Sequence, residues 1–332
     1  MIYDCSKEMM EFLEEKVRLS QKEKNKLKDY REKNLIRLKS GLRKNDKSMY
    51  KKAINQGSYA MNTINQDKDN DYDIDVGIIF DRDDLKGSNG GDMSALEARK
   101  MVCEAMQDDK FKKQPKVLKN CVRVYYDEGY HVDMPVYRVY KDVCGDEIQE
   151  LASSDWKKSD PESITSWYNE AVIEKSPDET NGRQMRRITR LIKKWAKSRD
   201  SWSMPSGFMI SVLVDEKYIS VLNRDDYSLY QTLKAIRDRL ELDKNINNPV
   251  TGESISDGKE HLLTNMYEKL NDALENNLNV LEDDECSHKG AMEAWSKFFN
   301  DDFFKDKIKI SDEKSNEVYR TISAGVKPWL SI

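Results

Sequence analysis

Cysteine and histidine are scarce in this sequence, and each shortage removes a class of protein. Five cysteines (Cys5, Cys103, Cys121, Cys144 and Cys286) lie scattered over 332 residues and form no C-x-x-C pair. A disulfide framework and a structural zinc site are therefore not expected. Three histidines (His131, His261 and His288) are too few for a His-based metal site. No apolar run approaches the roughly 20 residues that cross a bilayer, so no membrane insertion is expected. A basic excess is missing too: 56 Lys and Arg stand against 61 Asp and Glu, for a net charge of −5. That argues against broad duplex-DNA binding and leaves room only for a local basic groove. The N-terminus carries no signal-peptide pattern, and the expected setting is cytoplasmic with reduced thiols.

The chain has 38% hydrophobic and 35% charged residues, enough for a good core under a heavily charged exterior. It is organised around the stretch from Gln56 to Phe80. Gln56-Gly57-Ser58-Tyr59-Ala60 comes first, then a polar loop, then Asp73-Ile74-Asp75-Val76-Gly77-Ile78-Ile79-Phe80. The apolar run reads as a buried strand. Residues i and i+2 of a strand share a face, so Asp73 and Asp75 project together. Two like charges side by side call for a cation between them, and a divalent ion completed by phosphate meets that need. Alone, D-x-D also reads as part of a solvated acidic loop, because Asp67, Asp69 and Asp71 continue the same spacing. Gly57-Ser58 favours the functional reading: a small residue lets backbone N–H groups approach a phosphate.

A second block runs from Val117 to Tyr140. It reads as strand, tight turn at Asp127-Glu128-Gly129, and strand. Val132, Met134 and Val136 alternate with His131, Asp133 and Pro135, so Asp133 lies on a polar face. A carboxylate on a core strand is costly unless paired or metal-bound. The separation of 58 positions from Asp75 to Asp133 suffices for a strand, a helix and a hairpin, which brings Asp133 beside Asp73 and Asp75. The alternative is a surface Asp on an edge strand, which Pro135 permits. The Gly-rich loop Gly87-Ser88-Asn89-Gly90-Gly91 lacks the Gly-Lys-Ser/Thr ending of a P-loop and reads as a turn.

Gly57-Ser58, Asp73-x-Asp75 and the later strand Asp133 resemble the pattern of the polymerase-β-like nucleotidyltransferases. The fuller form, with His131-Val132-Asp133-Met134-Pro135-Val136-Tyr137, resembles the bacterial CD-NTases, the cyclic GMP-AMP synthase-like oligonucleotide cyclases of CBASS antiphage defence. The resemblance implies an α+β fold: a mixed-sheet nucleotidyltransferase lobe with a long N-terminal spine helix, and a mainly helical C-terminal lobe. The expected division is 1–160 for the catalytic lobe and 161–332 for a helical lobe closing the nucleotide cleft. Implied chemistry is two-metal transfer, with two Mg²⁺ (Mn²⁺ as an alternative) on Asp73, Asp75 and Asp133. ATP and other nucleoside triphosphates are the implied substrates, contacted by Gln56, Gly57 and Ser58. The implied product is a cyclic di- or trinucleotide sensed by a downstream effector. Asp133 is expected nearest the attacking oxygen, placed to accept its proton.

Along the rest of the chain, Lys7 to Arg43 reads as helix with a break near Ser20. Met49 to Asn55 reads as a short helical piece, and Ser94 to Met106 as a helix. Arg183 to Arg199 reads as a basic amphipathic helix: Met185, Ile188, Leu191, Ile192 and Trp195 on one side, Arg186, Arg187, Arg190, Lys193, Lys194, Lys197 and Arg199 supplying charge. A triphosphate site and a solvated basic face both fit that pattern. By resemblance, Lys193 is the first choice for a triphosphate-contacting lysine and Lys194 the second. Ser206 matches a hydroxyl donated to the triphosphate and Phe208 an aromatic that stacks on a base, although Pro205 and Gly207 also read as a tight helix start. Accessory proteins of the resembling systems (E1/E2-like conjugation enzymes, HORMA-type regulators) are conceivable partners. Two other functions fit the same core: transfer onto tRNA, protein or a small molecule, and a catalytically silent nucleotide-binding scaffold.

Overall fold

The computed structural model describes residues 2–67, 72–87 and 89–308. The chain forms two compact units. One comprises Arg18–Glu174 with Ile246–Ile255; the other comprises the residues up to Val17, Lys175–Asn245 and the chain from Ser256 onward. The division thus differs from a single cut at residue 160. The first helical turns join the helical unit because their apolar side chains bury there: the Phe12 ring lies 4.6 Å from Phe299 and 4.9 Å from Phe304.

Within the helical unit, α1 (Ser6–Phe12) runs on into a π-helical segment, Leu13–Val17. In the sheet unit the spine helix α2 (Gln21–Lys44) starts where Ser20 was expected to break the pattern. Its hydroxyl accepts from the Glu23 backbone N–H, an N-cap. Leu27, Leu35, Leu38 and Leu42 recur at helical spacing and are buried.

The residues read as a short helix form instead a strand, β1 (Lys52–Gln56), which corrects that expectation. It pairs antiparallel with β2 (Asp73–Asp81), from Lys52 opposite Ile79 to Gln56 opposite Asp75. Five residues gain more from completing a ladder than from one isolated helical turn, whose nucleation is unfavourable. Between them, α3 (Gly57–Ala60) is a single turn. The helix α4 (Ala95–Ala105) opens with a full capping box, Ser94 with Glu97.

The expected hairpin is present. After the two-residue β3 (Lys116–Val117), β4 (Val122–Tyr125) pairs antiparallel with β5 (His131–Met134). β6 (Val136–Lys141) follows directly. β5 and β6 both run parallel to β2 with one constant offset: His131 opposite Asp73, Asp133 opposite Asp75, Val136 opposite Ile78. Pro135 therefore interrupts one long partner strand without shifting its register. Its carbonyl still accepts from the Ile78 N–H. β7 (Glu147–Ala152) and β8 (Trp156–Lys158) extend the mixed sheet antiparallel. Ile74, Val76, Ile78, Phe80, Val132 and Met134 point into a core shared with α2 and α4. α5 (Pro161–Lys175) follows, with Lys52 paired to Glu162.

The helical unit holds α6 (Gln184–Ala196), α7 (Gly207–Lys217), α8 (Asp225–Leu242), α9 (Glu260–Asn276) and α10 (His288–Phe299). The α6 residues expected to be apolar, Met185, Ile188, Leu191, Ile192 and Trp195, are all buried. The sequence from residue 309 to Ile332 lies outside the described residues. No helix among the described residues is long and apolar enough to cross a membrane.

Candidate active site

The sheet unit brings the aspartates and the Gly-Ser turn together. Parallel pairing sets Asp75 directly opposite Asp133 and Asp73 opposite His131. Antiparallel pairing sets Gln56 opposite Asp75 from the other edge of β2. Gly57 follows immediately and takes φ +63°, a left-handed value that glycine adopts without strain. A Cβ at Gly57 would stand 2.2 Å from the Asp75 Oδ2, so the turn is packed against that carboxylate. Gly77, two residues on and on the same face of β2 as Asp75, is closely packed too: a Cβ there would stand 2.7 Å from Gln56 Oε1. That oxygen accepts from the buried Tyr137 hydroxyl at 3.1 Å, so the Gln56 side chain is held from two sides. Beside this turn opens a cavity of about 310 Å³ lined by Lys24, Asn55, Ser58, Tyr59 and Asn62.

Asp133 is only 8% exposed, which speaks against the alternative of a surface Asp on an edge strand. Its partner is Arg123, directly opposite it on β4. Arg123 Nε donates to Asp133 Oδ1 at 2.7 Å and Nη2 to Oδ2 at 2.8 Å. Nη2 also lies 3.3 Å from Asp73 Oδ1. His131 Nδ1 is 3.5 Å from that same oxygen. The Asp133 pairing raises the Arg123 pKa still further, so the guanidinium is permanently charged. Burial, then Asp133, raises the pKa of the Cys121 thiol and keeps it neutral.

Asp75 carries the electrostatic cost of this arrangement. Burial, then the negative charges of Asp133 and Asp73, push its carboxyl up to about 7, against a smaller opposing pull from Arg123. The donor set is oxygen only, which suits a hard divalent cation. A guanidinium already bridges Asp73 and Asp133, which shows that positive charge is accommodated where these side chains meet. Among the described residues no three Asp, Glu, His or Cys side chains form a ready-made metal cage. Arg123 occupies both oxygens of Asp133.

The other four expected contacts lie in the helical unit. Lys193 Cε is 3.3 Å from where a Gly207 Cβ would be, so the lysine is laid against the start of α7. Although part of it still meets solvent, its pKa is pushed down to about 7, first by burial, then by Arg190 and Lys197. The Ser206 hydroxyl caps α7, accepting from the Met209 N–H at 3.3 Å. Lys194 and Phe208 are half-buried. Arg187, by contrast, is not part of a free basic face. It forms a bidentate pair with Asp225 and a further bond to Asp178, all buried or nearly so.

Arg123 and Tyr137 are the residues that sequence reasoning passed over. Arg123 was within reach. With the turn centred on Glu128, counting outward pairs residue 123 with residue 133. A lone charge between Val122 and Val124, opposite a buried Asp, is then a predicted ion pair. Tyr137 gave no such signal, because buried and exposed tyrosines look alike in a strand.

A mixed sheet that presents aspartates at parallel register beside a Gly-Ser turn is the architecture of a nucleotidyltransferase domain of the polymerase-β-like kind. More narrowly, residues 51–137 match the family described as cyclic GMP-AMP synthase DncV-like, nucleotidyltransferase domain. Solved structures agree on the fold. Vibrio cholerae DncV cyclic AMP-GMP synthase, in complex with the linear intermediate 5' pppA(3',5')pG, is 15% identical with TM-score 0.64, over 90% of this chain and 96% of that one. CdnC of E. coli MS115-1, with ATP, is 16% identical with TM-score 0.64, over 91% and 99%. The CD-NTase CdnG of Bradyrhizobium diazoefficiens, in complex with GTP, is 14% identical with TM-score 0.62, over 92% and 97%. The resemblance read from the motifs therefore holds: the matched segment is a DncV-like nucleotidyltransferase domain, and the chain has the CD-NTase fold.

Proposed function

We propose that this protein is a nucleotidyltransferase that joins nucleoside triphosphates into a cyclic di- or trinucleotide and releases pyrophosphate. One observation carries the reading: the Asp75–Asp133 register pair, with Gly57 packed on Asp75, falls inside the segment that matches the DncV-like domain. The relatives support triphosphates as substrates, since DncV was captured with a linear intermediate, CdnC with ATP and CdnG with GTP.

In this reading Asp73, Asp75 and Asp133 hold divalent cations, Mg²⁺ first and Mn²⁺ as an alternative. Such ions, when bound, neutralise triphosphate oxygens and polarise the acceptor ribose hydroxyl. The chain supplies the positioning. Gly57 and Ser58 offer backbone and hydroxyl donors to the triphosphate, and Gln56, steadied by Tyr137, borders the same turn. In the helical unit, Lys193 and Lys194 offer positive charge, Ser206 a hydroxyl and Phe208 a stacking face. The acceptor hydroxyl attacks the α-phosphorus in line and pyrophosphate leaves. A second transfer within the linear product closes the ring.

The test is incubation of the pure protein with all four triphosphates and Mg²⁺, followed by mass spectrometry. A phosphatase-resistant cyclic product that disappears in the Asp73→Ala/Asp75→Ala double variant supports the cyclase. Pyrophosphate release only on addition of tRNA, protein or a small acceptor assigns transfer onto that acceptor instead. Nucleotide binding with no turnover under any condition would leave a scaffold. The antiphage role and accessory partners implied by the resemblance belong to the same proposal. Protection of cells from phage by the wild type and not by the double variant tests them.

A further inference from the structure

The Arg123 guanidinium touches carboxylates from two strands, while itself standing on a third. From β4 it pairs with Asp133 on β5 through Nε and Nη2, and it reaches Asp73 on β2 with Nη2. The geometry is the fork-to-fork arrangement that makes Arg–carboxylate pairs strong and directional. It is fixed by the ladder as well, because Val122 opposite Met134 and Val124 opposite Val132 bracket the Arg123–Asp133 pair. Both oxygens of Asp133 are engaged.

We infer that Arg123 is a positioning residue that competes with divalent cations for Asp133 and Asp73, and so sets how tightly the carboxylate cluster binds metal. The inference rests on the reading of Asp73, Asp75 and Asp133 as cation ligands. Two effects act in the same direction. A cation that takes an Asp133 oxygen must break one charge-assisted hydrogen bond. It must also sit beside a fixed positive charge in a partly buried site, where repulsion is weakly screened. The pair therefore holds Asp133 in place and weakens the cluster's grip on an ion. A purely structural ion pair has the opposite signature: its removal leaves Asp133 loose and weakens cation binding.

The experiment counts Mn²⁺ bound in the absence of nucleotide, from the electron paramagnetic resonance of free Mn²⁺. It compares wild type, Arg123→Gln, Arg123→Lys and Asp75→Asn. Arg123→Gln is expected to bind Mn²⁺ about tenfold tighter or more, a factor equal to roughly 1.4 kcal/mol. Arg123→Lys, which keeps the charge and loses the fork, is expected between the two. Equal or weaker binding by Arg123→Gln overturns the inference. Should that variant fail to fold, wild type decides: its Arg123 Nε resonance, assigned by its absence from the Arg123→Lys spectrum, is expected to shift on saturation with Mg²⁺. A resonance that stays in place overturns the inference. Asp75→Asn separates the two levels. Wild-type Mn²⁺ binding by Asp75→Asn defeats the carboxylate reading itself, whereas lost binding there without tightening in Arg123→Gln defeats only the role given to Arg123.

Discussion

Gly57 and Asp75 are in contact across the start of α3: the space that a Gly57 side chain would fill is already held by the Asp75 carboxylate, 2.2 Å from the would-be Cβ. The turn residue and the carboxylate thus fix one another's position. Gly57→Ala is expected to act twice. A left-handed φ of +63° costs a non-glycine residue about 1–2 kcal/mol. The added methyl also forces the Asp75 carboxylate to move. Stability should fall by about that amount, while pyrophosphate release from triphosphates falls at least ~100-fold, as expected for a misplacement of about 1 Å at the chemistry. Denaturant melts and a pyrophosphate assay check both. Near-normal turnover in Gly57→Ala would contradict the contact's importance.

The raised Asp75 carboxyl makes a prediction whose sign is opposite to the usual acid behaviour. Its ordinary value is 3.8 and its folded value about 7. The folded state therefore keeps its proton where the unfolded chain has lost it. Stability from this group is full below about pH 4 and is lost as pH rises through 7. Part of Asp75 still meets solvent, so the loss is discounted to on the order of 1–3 kcal/mol. Asp75→Asn should remove this slope and be more stable than wild type at pH 7.5 in chelator-treated buffer. Mg²⁺ should narrow the gap by stabilising wild type alone. Urea unfolding of both proteins at pH 5 and 7.5, with and without Mg²⁺, measures it.

How far the site could be read in the sequence depended on how local each signal was. Asp73 and Asp75 announced themselves by period-two spacing into an apolar run. Asp133 did so by breaking the pattern of a strand. Parallel pairing then needed only the observed chain length between them. Ser20 and Ser94 marked their helix starts through the hydroxyl each offers to the third residue on. What the sequence hid was set by tertiary partners. Lys52–Gln56 became a strand only because the edge of β2 was open to it. The helical pattern up to Val17 did not reveal which unit would bury Phe12. The charges of α6 looked equivalent, but Arg187 and Arg190 are buried while the others are not, and Arg187 is committed to Asp225 of α8.

That separation is testable. Arg187 donates to both oxygens of Asp225 and to Asp178, in surroundings where it is only 6% exposed. Removing it strands two carboxylates. Arg187→Met is expected to cost about 3–5 kcal/mol, the range for breaking one side of a buried pair. The folded fraction should bind ATP with unchanged affinity, because the side chain is committed to the interior. Thermal melts and ATP titrations of the variant check this, and a large affinity loss without a stability loss would return Arg187 to the phosphate-binding face.

Lys193 has the complementary pH signature in the helical unit. Its ordinary value of 10.5 is pushed down to about 7. Between those values the unfolded chain holds a proton that the folded state has given up, so stability rises with pH from 7 to 10.5. The window does not overlap that of Asp75, and the slopes are opposite. Lys193→Met should flatten the upper limb and be more stable than wild type near pH 7. The same depressed lysine gives a binding readout. A triphosphate placed against it would favour the charged form and draw a proton from solution at pH 8. Calorimetric titration of ATP in buffers of different ionisation enthalpy should therefore report proton uptake by wild type and none by Lys193→Met. Equal proton uptake in both proteins would remove Lys193 from the triphosphate contacts while leaving the stability argument intact.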